Sequence, residues 1–266
     1  MKELSIDELR QMQLQLLADV DVFCKENNIR YSLCGGSLLG AVRHKGYIPW
    51  DDDIDIMMPR PDYEKFIALY SSEKNYLVNF MQMKGYRETF VKICRKNTLM
   101  VDGLLERPGF GVNIDLFPID GVPATTPQQH VSDVLEAKEK IAKFCPYYID
   151  MNRRRLVWCI KFIIKRILSC QFNSILRIKD ELDRLLKKYS FEDSTYAGVI
   201  SGSYGFKEVV NKEVFLQYDL LQFEGAYYSA ITNFDEYLRS IYGEYWILPP
   251  EGSRYNPHNY RAFVYD

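Results

Sequence analysis

The chain has 266 residues, of which 47% are hydrophobic and 26% charged, a composition typical of a soluble globular protein. Its length allows one large domain or two small ones. The 34 basic and 36 acidic residues leave a formal net charge of -2. No nucleic-acid partner is expected, because proteins that bind nucleic acids usually carry a basic excess.

The six cysteines are spaced too widely to indicate a metal site or a disulfide framework. No two of them form a C-x-x-C pair, so the spacing of a zinc site is absent. The N-terminal residues, MKELSIDEL, are charged and amphipathic and lack the apolar run of a signal peptide. We therefore expect a cytoplasmic protein whose cysteines are mostly buried thiols.

Hydrophobic periodicity and capping signals predict alternating helices and strands in the first half of the chain. Ser5 and Glu8 form a capping box that opens a helix ending near Asn27. The pattern then predicts, in chain order, a strand at 30–34, a helix at 37–44, a strand at 53–58 closed by Pro59, a helix at 61–70, strands at 76–81 and 89–95, and a strand at 111–117 closed by Pro118.

The second half of the chain is predicted to contain more helix. Helical spacing runs for about sixty residues from Pro127, and a last helix is expected at 233–242. A glycine and two prolines cluster just after Asp120. We therefore predict an α/β (α+β) fold with a core at residues 1–122 and a helical and mixed C-terminal region at residues 123–266.

A glycine turn and a pair of carboxylates predict a binding site. Gly35 and Gly36 precede a predicted helix, and backbone N–H groups at a helix start bind phosphate, to which Ser37 would add a hydroxyl. Asp53 and Asp55 stand two residues apart in a predicted strand, so their carboxylates point to one face. Two converging carboxylates suit a hard divalent cation. Together these features predict a site for a metal-bound phosphoanhydride, most simply a nucleotide, although the glycines could also serve the turn alone.

Asp115 is a candidate third carboxylate. It alternates with Ile114 and Leu116, a pattern that for a lone Asp often marks a solvated strand face. Here its strand is expected in the same sheet as Asp53 and Asp55. Such a set suits two-metal phosphoryl transfer, in which Asp53 and Asp55 would hold Mg²⁺. Asp115 would ligate a second metal or accept the proton of an attacking hydroxyl.

Four further charged residues lie near these motifs in sequence. Lys92 and Arg95 share a predicted strand, where either would clamp a donor phosphate or serve as a surface charge. Asp51 and Asp52 precede the carboxylate pair, and Asp51 follows a tryptophan in a turn that it would cap. Substrate contacts are therefore predicted for the two cations, and a supporting role for Asp51.

The segment at 153–168 is both apolar and basic. Charges interrupt it too often for a membrane span. As a helix it would place most of its apolar residues on one side, which suits either an anionic membrane surface or a core helix with lysine stems along the protein surface. Both interpretations stay open.

Several motifs together resemble the LicD family. They are the run GGSLLGAVRHKGYIPWDDDIDI at 35–56, IDLFPID at 114–120, FEG at 223–225, and YGEYW followed by PP at 242–250, with Arg254 and His258 after it. The similarity covers nearly the whole chain. Its first block is specific, whereas a D-x-D pair alone would be weak evidence.

This resemblance implies a nucleotidyltransferase-like core of the DNA polymerase β superfamily. It also implies transfer of phosphocholine, or a related alcohol phosphate, from CDP-choline or another CDP-alcohol to a sugar hydroxyl of a cell-surface glycan such as teichoic acid, lipopolysaccharide or capsule. The implied metal is Mg²⁺, with Mn²⁺ as a substitute, at Asp53, Asp55 and Asp115. Arg254 and His258 become candidate substrate contacts. A lipid-linked acceptor would bring the protein to the inner face of the cell membrane.

Two other functions remain open from the residues alone. One is a nucleotidyltransferase that adds a nucleoside monophosphate to a small molecule or sugar and releases pyrophosphate, since the same metal site would serve either reaction. The other is an inactive, membrane-associated scaffold. Intact carboxylates at Asp53, Asp55 and Asp115 argue against the scaffold.

Overall fold

The computed structural model of the chain describes residues 1–79, 81, 86, 88–102, 105–144, 172–256 and 260–265. Helices and mixed sheets alternate through these ranges, and the predicted α/β (α+β) class is confirmed. The helices are α1 (Ile6–Glu26), α2 (Gly35–His44), α3 (Arg60–Leu69), α4 (Pro127–Phe144), α5 (Phe172–Leu186) and α6 (Phe234–Tyr242). The strands are β1 (Lys2–Glu3), β2 (Ser32–Leu33), β3 (Asp55–Pro59), β4 (Asn75–Val78), β5 (Val91–Arg95), β6 (Thr98–Asp102), β7 (Leu105–Phe110), β8 (Asn113–Val122), β9 (Tyr196–Gly198), β10 (Val210–Asn211), β11 (Tyr218–Phe223), β12 (Ala226–Ile231) and β13 (Tyr260–Val264).

The main sheet is built around β8. One edge of β8 pairs in parallel with β3, and its other edge pairs antiparallel with β5 near its start and with β9 near its end. β2, β4 and β10 extend the sheet by antiparallel pairing. Because β3 and β8 are interior strands, the apolar residues next to Asp55 and Asp115 are almost fully buried: Ile56, Ile114 and Leu116.

The first helix matches its sequence signals. The Ser5 hydroxyl accepts a hydrogen bond from the Glu8 N–H, and the Glu8 carboxylate accepts one from the Ser5 N–H, which is the predicted capping box. Asn27 follows the last helical residue, as expected. The helix buries one stripe of apolar side chains against the main sheet: Leu9, Leu16, Leu17 and Val20.

The second helix begins earlier than predicted. It starts at Gly35 and not at Ser37, because the Leu38 N–H already bonds the Cys34 carbonyl and closes the first turn. Gly35 has a φ of +50°, a conformation that is costly for a residue with a Cβ. The two glycines are therefore the first helical turn, and they do not form a separate loop.

The strand predicted to close at Pro118 continues to Val122, so that boundary was wrong. Asp115 donates its N–H to Ile54 of the neighbouring segment, and amide directions alternate along a strand. The nitrogen of Pro118 therefore faces away from β3. On that side the β5 pairing has ended at Leu116 and the β9 pairing begins at Asp120. The missing N–H of proline thus removes no ladder bond.

The other predicted boundaries shift by a few residues. The carboxylate strand begins at Asp55 and not at Asp53, and the two following strands are β4 and β5, shorter than their predicted ranges 76–81 and 89–95. The last helix begins at Phe234, directly after the predicted Asn233. Strand ends shift because neighbouring strands decide where pairing stops.

Strands from both predicted regions share the same sheets. β9 and β10 extend the main sheet, and β13 pairs with β1 and β6 in a second sheet that includes β7. The division into residues 1–122 and 123–266 stays a prediction. The segment 153–168 lies outside the described residues, and among the residues described no helix is both long and apolar enough to cross a membrane.

The FEG motif joins the β11–β12 hairpin to the turn after α2. The Glu224 carboxylate accepts a hydrogen bond from the Tyr47 N–H at 3.0 Å, and the Glu224 N–H bonds the Lys45 carbonyl at 2.9 Å. A Cβ on Gly46 would lie 2.1 Å from the Glu224 carboxylate, so this contact requires glycine there. The motif therefore holds the C-terminal end of α2 in place.

Candidate active site

Asp55 and Asp115 stand side by side at the beginnings of two parallel strands. They are direct partners in the β3–β8 register, and in-register neighbours of a parallel pair project to the same face of the sheet. Each is partly buried. The structure thus confirms that the strand of Asp115 lies in the same sheet as the strand of Asp55.

Asp53 and Asp51 complete a concentration of negative charge. Burial raises the pKa of Asp55 well above its ordinary value, and the charges of Asp53, Asp115 and Asp51 raise it further, while Lys92 opposes them. Asp53 lies just before β3, so the convergence comes from an extended segment leading into the strand. The site thus holds more carboxylate charge than the protein's own cations offset.

Lys92 is the cation nearest this group. Its ammonium donates to both oxygens of Asp115, at 2.5 and 2.8 Å, and to the side-chain oxygen of Asn113 at 3.0 Å. Burial alone would lower the pKa of Lys92, but the Asp115 carboxylate raises it above its ordinary value. Lys92 is therefore a fixed positive charge that orients Asp115.

Asn113 was missed by the sequence analysis, although a signal for it existed. It stands two residues before Asp115 on β8, the same spacing that selected Asp53 with Asp55. The alternation rule therefore predicts that Asn113 and Asp115 share a face.

A small pocket of about 40 Å³ opens at this ion pair. Asp53, Lys92 and Asp115 contribute its charged walls, and the remaining lining side chains are Gln13, Met100, Phe110, Asn113 and Tyr260. Gln13 is fixed there by a bond from its amide to the Asp52 carbonyl at 2.9 Å. The pocket thus combines charged, amide and apolar surfaces at the Lys92–Asp115 pair.

The glycine turn packs directly against the carboxylates. A Cβ on Gly35 would lie 3.4 Å from the Asp55 carboxylate, and one on Gly36 would lie 2.8 Å from that of Asp51. The Ser37 hydroxyl accepts a hydrogen bond from the Asp55 N–H at 2.9 Å and so ties α2 to β3. Glycines at 35 and 36 thus let the helix start approach two carboxylates; phosphate contact there stays a prediction.

Two tyrosines line the same region. Tyr204 donates a hydrogen bond to the Tyr242 hydroxyl at 3.0 Å, and their rings meet edge to face with centroids 5.3 Å apart. Burial raises the pKa of both hydroxyls, and the charge of Asp55 contributes to each shift. Neither was named as a site residue, because a tyrosine-rich sequence offers no local signal that selects two of twenty.

The other predicted substrate contacts are distributed around the molecule. Arg95 lies three residues beyond Lys92 on β5, and its guanidinium faces Asp19 of α1 at 3.5 Å, so the structure does not bring it to Asp115. The Arg254 guanidinium lies over the Trp50 ring, 5.8 Å from its centroid. Trp50 directly precedes the Asp51–Asp53 segment in sequence. His258 lies outside the described residues. Their roles toward substrate stay predictions.

The donor set fits a hard divalent ion in its chemistry. Asp53 and Asp55 offer carboxylate oxygens in a site of excess negative charge, which a divalent cation would offset. In the part of the chain that is described, no three His, Cys, Asp or Glu side chains are grouped so that they would hold an ion between them. An ion at Asp53 and Asp55 would therefore draw further ligands from substrate phosphate and water, as Mg²⁺ usually does.

A buried carboxyl lies behind the glycine turn. Glu208 is 5% exposed and accepts a hydrogen bond from Tyr237 at 3.4 Å. Burial raises its pKa from 4.5 to about 8, although the nearby charge of Lys138 opposes the shift. Burial, and after it the charge of Asp55, raises the pKa of the nearby Cys34 thiol, which lies directly before Gly35. Glu208 is thus protonated in the folded protein at neutral pH.

Replacing Glu208 should change the pH dependence of stability. The unfolded chain ionises this carboxyl near pH 4.5, while the folded protein keeps the proton until about pH 8. The folded state therefore binds more protons in this window, and its stability falls as pH rises. We expect Glu208→Gln to be more stable than wild type by an amount that grows across the window to about 5 kcal/mol. Urea unfolding at pH 5, 7 and 9 measures this.

The matched control is Glu236→Gln, which removes an exposed carboxylate from α6. Its stability difference from wild type should stay constant with pH. If Glu208→Gln also showed a constant difference, Glu208 would ionise normally in the folded protein.

Comparison with known proteins defines the class and then the family. Paired carboxylates on adjacent parallel strands, with a helix start packed against them, suit a nucleotidyltransferase-type enzyme that acts on phosphate esters. Residues 28–148 match the family described as LicD/FKTN/FKRP, nucleotidyltransferase domain. This match supports the LicD family for the chain, and the resemblance of its motifs is confirmed.

Individual relatives support the same assignment. The chain is 29% identical over 272 residues to lipopolysaccharide cholinephosphotransferase LicD of Haemophilus influenzae, covering 99% of this chain and 100% of that protein. It is 40% identical over 93 residues to an uncharacterized protein of Rickettsia typhi, covering 35% of this chain and 28% of that protein. It is 37% identical over 79 residues to human ribitol 5-phosphate transferase FKRP, covering 28% and 16% respectively. The chain is a phosphotransferase enzyme.

Proposed function

We propose that this enzyme transfers phosphocholine, or a related alcohol phosphate, from a CDP-activated donor to a sugar hydroxyl of a cell-surface glycan. The observation that carries the proposal is the convergence of Asp53, Asp55 and Asp115, with Lys92 bound to Asp115, beside the start of α2. A lipid-linked acceptor at the inner face of the cell membrane is part of this proposal.

The metal would be Mg²⁺, with Mn²⁺ as a substitute. Asp53 and Asp55 would hold it, and Asp115, paired with Lys92, would accept the proton of the attacking hydroxyl or ligate a second metal ion. Mg²⁺ bound there would neutralise charge on the diphosphate and so ease departure of the leaving group.

The protein's own groups have separate tasks in the transfer. The sugar oxygen attacks the donor phosphorus that bears the alcohol, the bond from that phosphorus to the bridging oxygen breaks, and CMP leaves with the bridging oxygen. The proton of the sugar hydroxyl passes to Asp115. Lys92, kept protonated by Asp115, would stabilise negative charge on the transferred phosphoryl group. The N–H groups that open α2 would bind phosphate oxygens.

The relatives support the choice of alcohol. The relative that aligns over almost the whole chain is named a cholinephosphotransferase acting on lipopolysaccharide, whereas the relative named a ribitol 5-phosphate transferase aligns over 28% of this chain. Phosphocholine is therefore the first donor group to test, and ribitol phosphate the second.

Titration calorimetry with Mg²⁺ present tests the donor. The protein should be titrated with CDP-choline, CDP-ribitol, CDP-glycerol, CTP and ATP. We expect one CDP-alcohol to bind at least about tenfold more tightly than CTP and ATP, a difference of about 1.4 kcal/mol. Turnover with that donor and a glycan acceptor should release CMP.

Two outcomes would contradict the proposal. Preference for a nucleoside triphosphate with release of pyrophosphate would establish nucleotidyl transfer instead. Retention of the cellular phenotype by Asp53→Asn would favour a scaffold without catalysis, since that substitution removes a proposed metal ligand.

A further inference from the structure

Two arginines from distant parts of the sequence hold the same loop. Arg43, in the last turn of α2, donates to the Tyr245 carbonyl at 2.6 Å. Arg254 donates to the Pro249 carbonyl at 2.7 Å. The loop at 245–249 follows α6, so both guanidinium groups are fixed in position by the backbone at its two ends.

Neither guanidinium has a carboxylate partner within the described ranges of the chain. A guanidinium carries five N–H donors and no acceptor. Arg43 uses a second donor on the His44 ring nitrogen at 2.9 Å. Arg254 places its guanidinium over the Trp50 ring. Both therefore keep donors and a full positive charge available.

Arg239 provides a contrast next to the same loop. It lies over the Tyr245 ring at 5.9 Å but is neutralised by Asp235 at 2.9 Å and Glu244 at 2.8 Å. Ion pairing is thus available to cations around this loop. Arg43 and Arg254 lack it although both are partly buried.

Two partly buried cations that hold the two ends of one loop repel each other when no anion lies between them. Burial lowers the pKa of Arg43, and the charge of Arg254 lowers it further, whereas Tyr242 opposes the shift. A bound oxyanion would remove this repulsion, and guanidinium groups suit phosphate because they donate two parallel hydrogen bonds.

The pair lies beside the carboxylate site but is separate from it. Helix α2 begins against Asp55 and ends at Arg43 and His44. Asn256 donates to the Asp52 carboxylate at 2.8 Å and so holds the Arg254 segment against the Asp51–Asp53 segment. Helix α2 and the Asn256–Asp52 bond thus connect the two arginines to the segments that carry the carboxylates.

We propose that Arg43 and Arg254 form a binding site for a phosphate group of a substrate, distinct from the phosphate that is transferred at Asp53, Asp55 and Asp115. The identity of the substrate rests on the proposed function. The phosphate has two sources of the same chemistry: the nucleotide phosphate of the donor, or a phosphate on an anionic glycan acceptor.

Binding of inorganic phosphate to the full-length protein tests the site without any donor or acceptor. Its dissociation constant is measured by calorimetry, in chloride buffers of constant ionic strength, for wild type, Arg43→Gln, Arg254→Gln and Arg239→Gln. We expect each of the first two variants to weaken phosphate binding about tenfold or more, because a charged bidentate donor is lost. Arg239→Gln should bind as wild type does.

Equal phosphate affinity in wild type and in the Arg43 and Arg254 variants overturns the proposal. An equal loss in Arg239→Gln also overturns it, since net charge would then explain the binding. If a glutamine variant does not fold, Arg43→Lys and Arg254→Lys keep the charge but not the paired donors, and several-fold weaker binding is expected. Phosphate binding is measured without donor or acceptor, so this test does not depend on the proposed transfer reaction.

A second measurement identifies the source of the phosphate. Calorimetric affinity for CDP-choline with Mg²⁺ is compared between wild type and the two glutamine variants. A loss of about tenfold assigns the site to the donor's nucleotide phosphate. The site is assigned to the acceptor if the variants keep the wild-type affinity for the donor and show a raised KM for a phosphorylated acceptor but not for an unphosphorylated one.

Discussion

Asp55→Asn is expected to reduce turnover about 1,000-fold or more while the protein stays folded. The substitution removes a carboxylate charge from the proposed Mg²⁺ site, and loss of one such electrostatic group typically costs about 100-fold to 1,000-fold in kcat, with more for a metal ligand. The backbone N–H of residue 55 still bonds the Ser37 hydroxyl. Transfer assays and thermal unfolding of the same preparation measure both effects.

The unfolding data contain a second test of the same site. Because burial and neighbouring carboxylates raise the pKa of Asp55, its charge opposes folding when no metal is bound. Without Mg²⁺ the variant should be as stable as wild type or more stable. Added Mg²⁺ should raise the melting temperature of wild type only.

The control for Asp55 is Asp180→Asn, which removes an exposed carboxylate from α5. It should keep activity and the response to Mg²⁺. An active Asp55→Asn enzyme, or one still stabilised by Mg²⁺ like wild type, would show that Asp55 does not carry the chemistry.

Lys92→Met is expected to cost about 3–5 kcal/mol of folding stability and most of the activity. The Lys92 ammonium and the Asp115 carboxylate are 12% and 15% exposed, and removing one partner of a buried ion pair leaves the other charge uncompensated. Methionine keeps the apolar stem beside Phe90, whose ring the ammonium approaches at 5.3 Å. Urea unfolding measures the loss of stability.

A double variant separates the ion pair from simple packing. Lys92→Met with Asp115→Asn has no uncompensated charge, so it should recover much of the lost stability but none of the activity. Lys96→Met, an exposed lysine just after the same strand, should change neither. If the double variant were no more stable than Lys92→Met, packing and not charge would explain the effect.

The local motifs were predictable because their physics is local. A capping box, a glycine turn and a D-x-D spacing depend on residues a few positions apart, and Ser5, Gly36 and Asp55 lie where these rules place them. The start of α2 and the end of β8 were predicted wrongly. Glycine is a poor helix former, yet the Leu38 N–H already bonds the Cys34 carbonyl and starts α2 at Gly35. Proline usually ends a strand, yet pairing with β3 and β9 carries β8 past Pro118.

Partners from distant parts of the chain were beyond any sequence rule applied to this chain. The site combines Lys92 with Asn113, Tyr204 with Tyr242, and a loop held by Arg254. Arg95 shares a strand with Lys92, yet the odd spacing between them puts it on the opposite face, against α1.

The sequence by itself predicted the resemblance to the LicD family, the α/β class and a site at the carboxylates Asp53, Asp55 and Asp115, because each prediction follows from short motifs or from alternation along one strand. Only the tertiary structure decided that Asp115 lies in register with Asp55, that Lys92 binds it, and that Arg43 and Arg254 meet at one loop. The reason is physical: strand register and helix packing are set by burial of the whole core, and this burial brings together side chains that no local spacing relates.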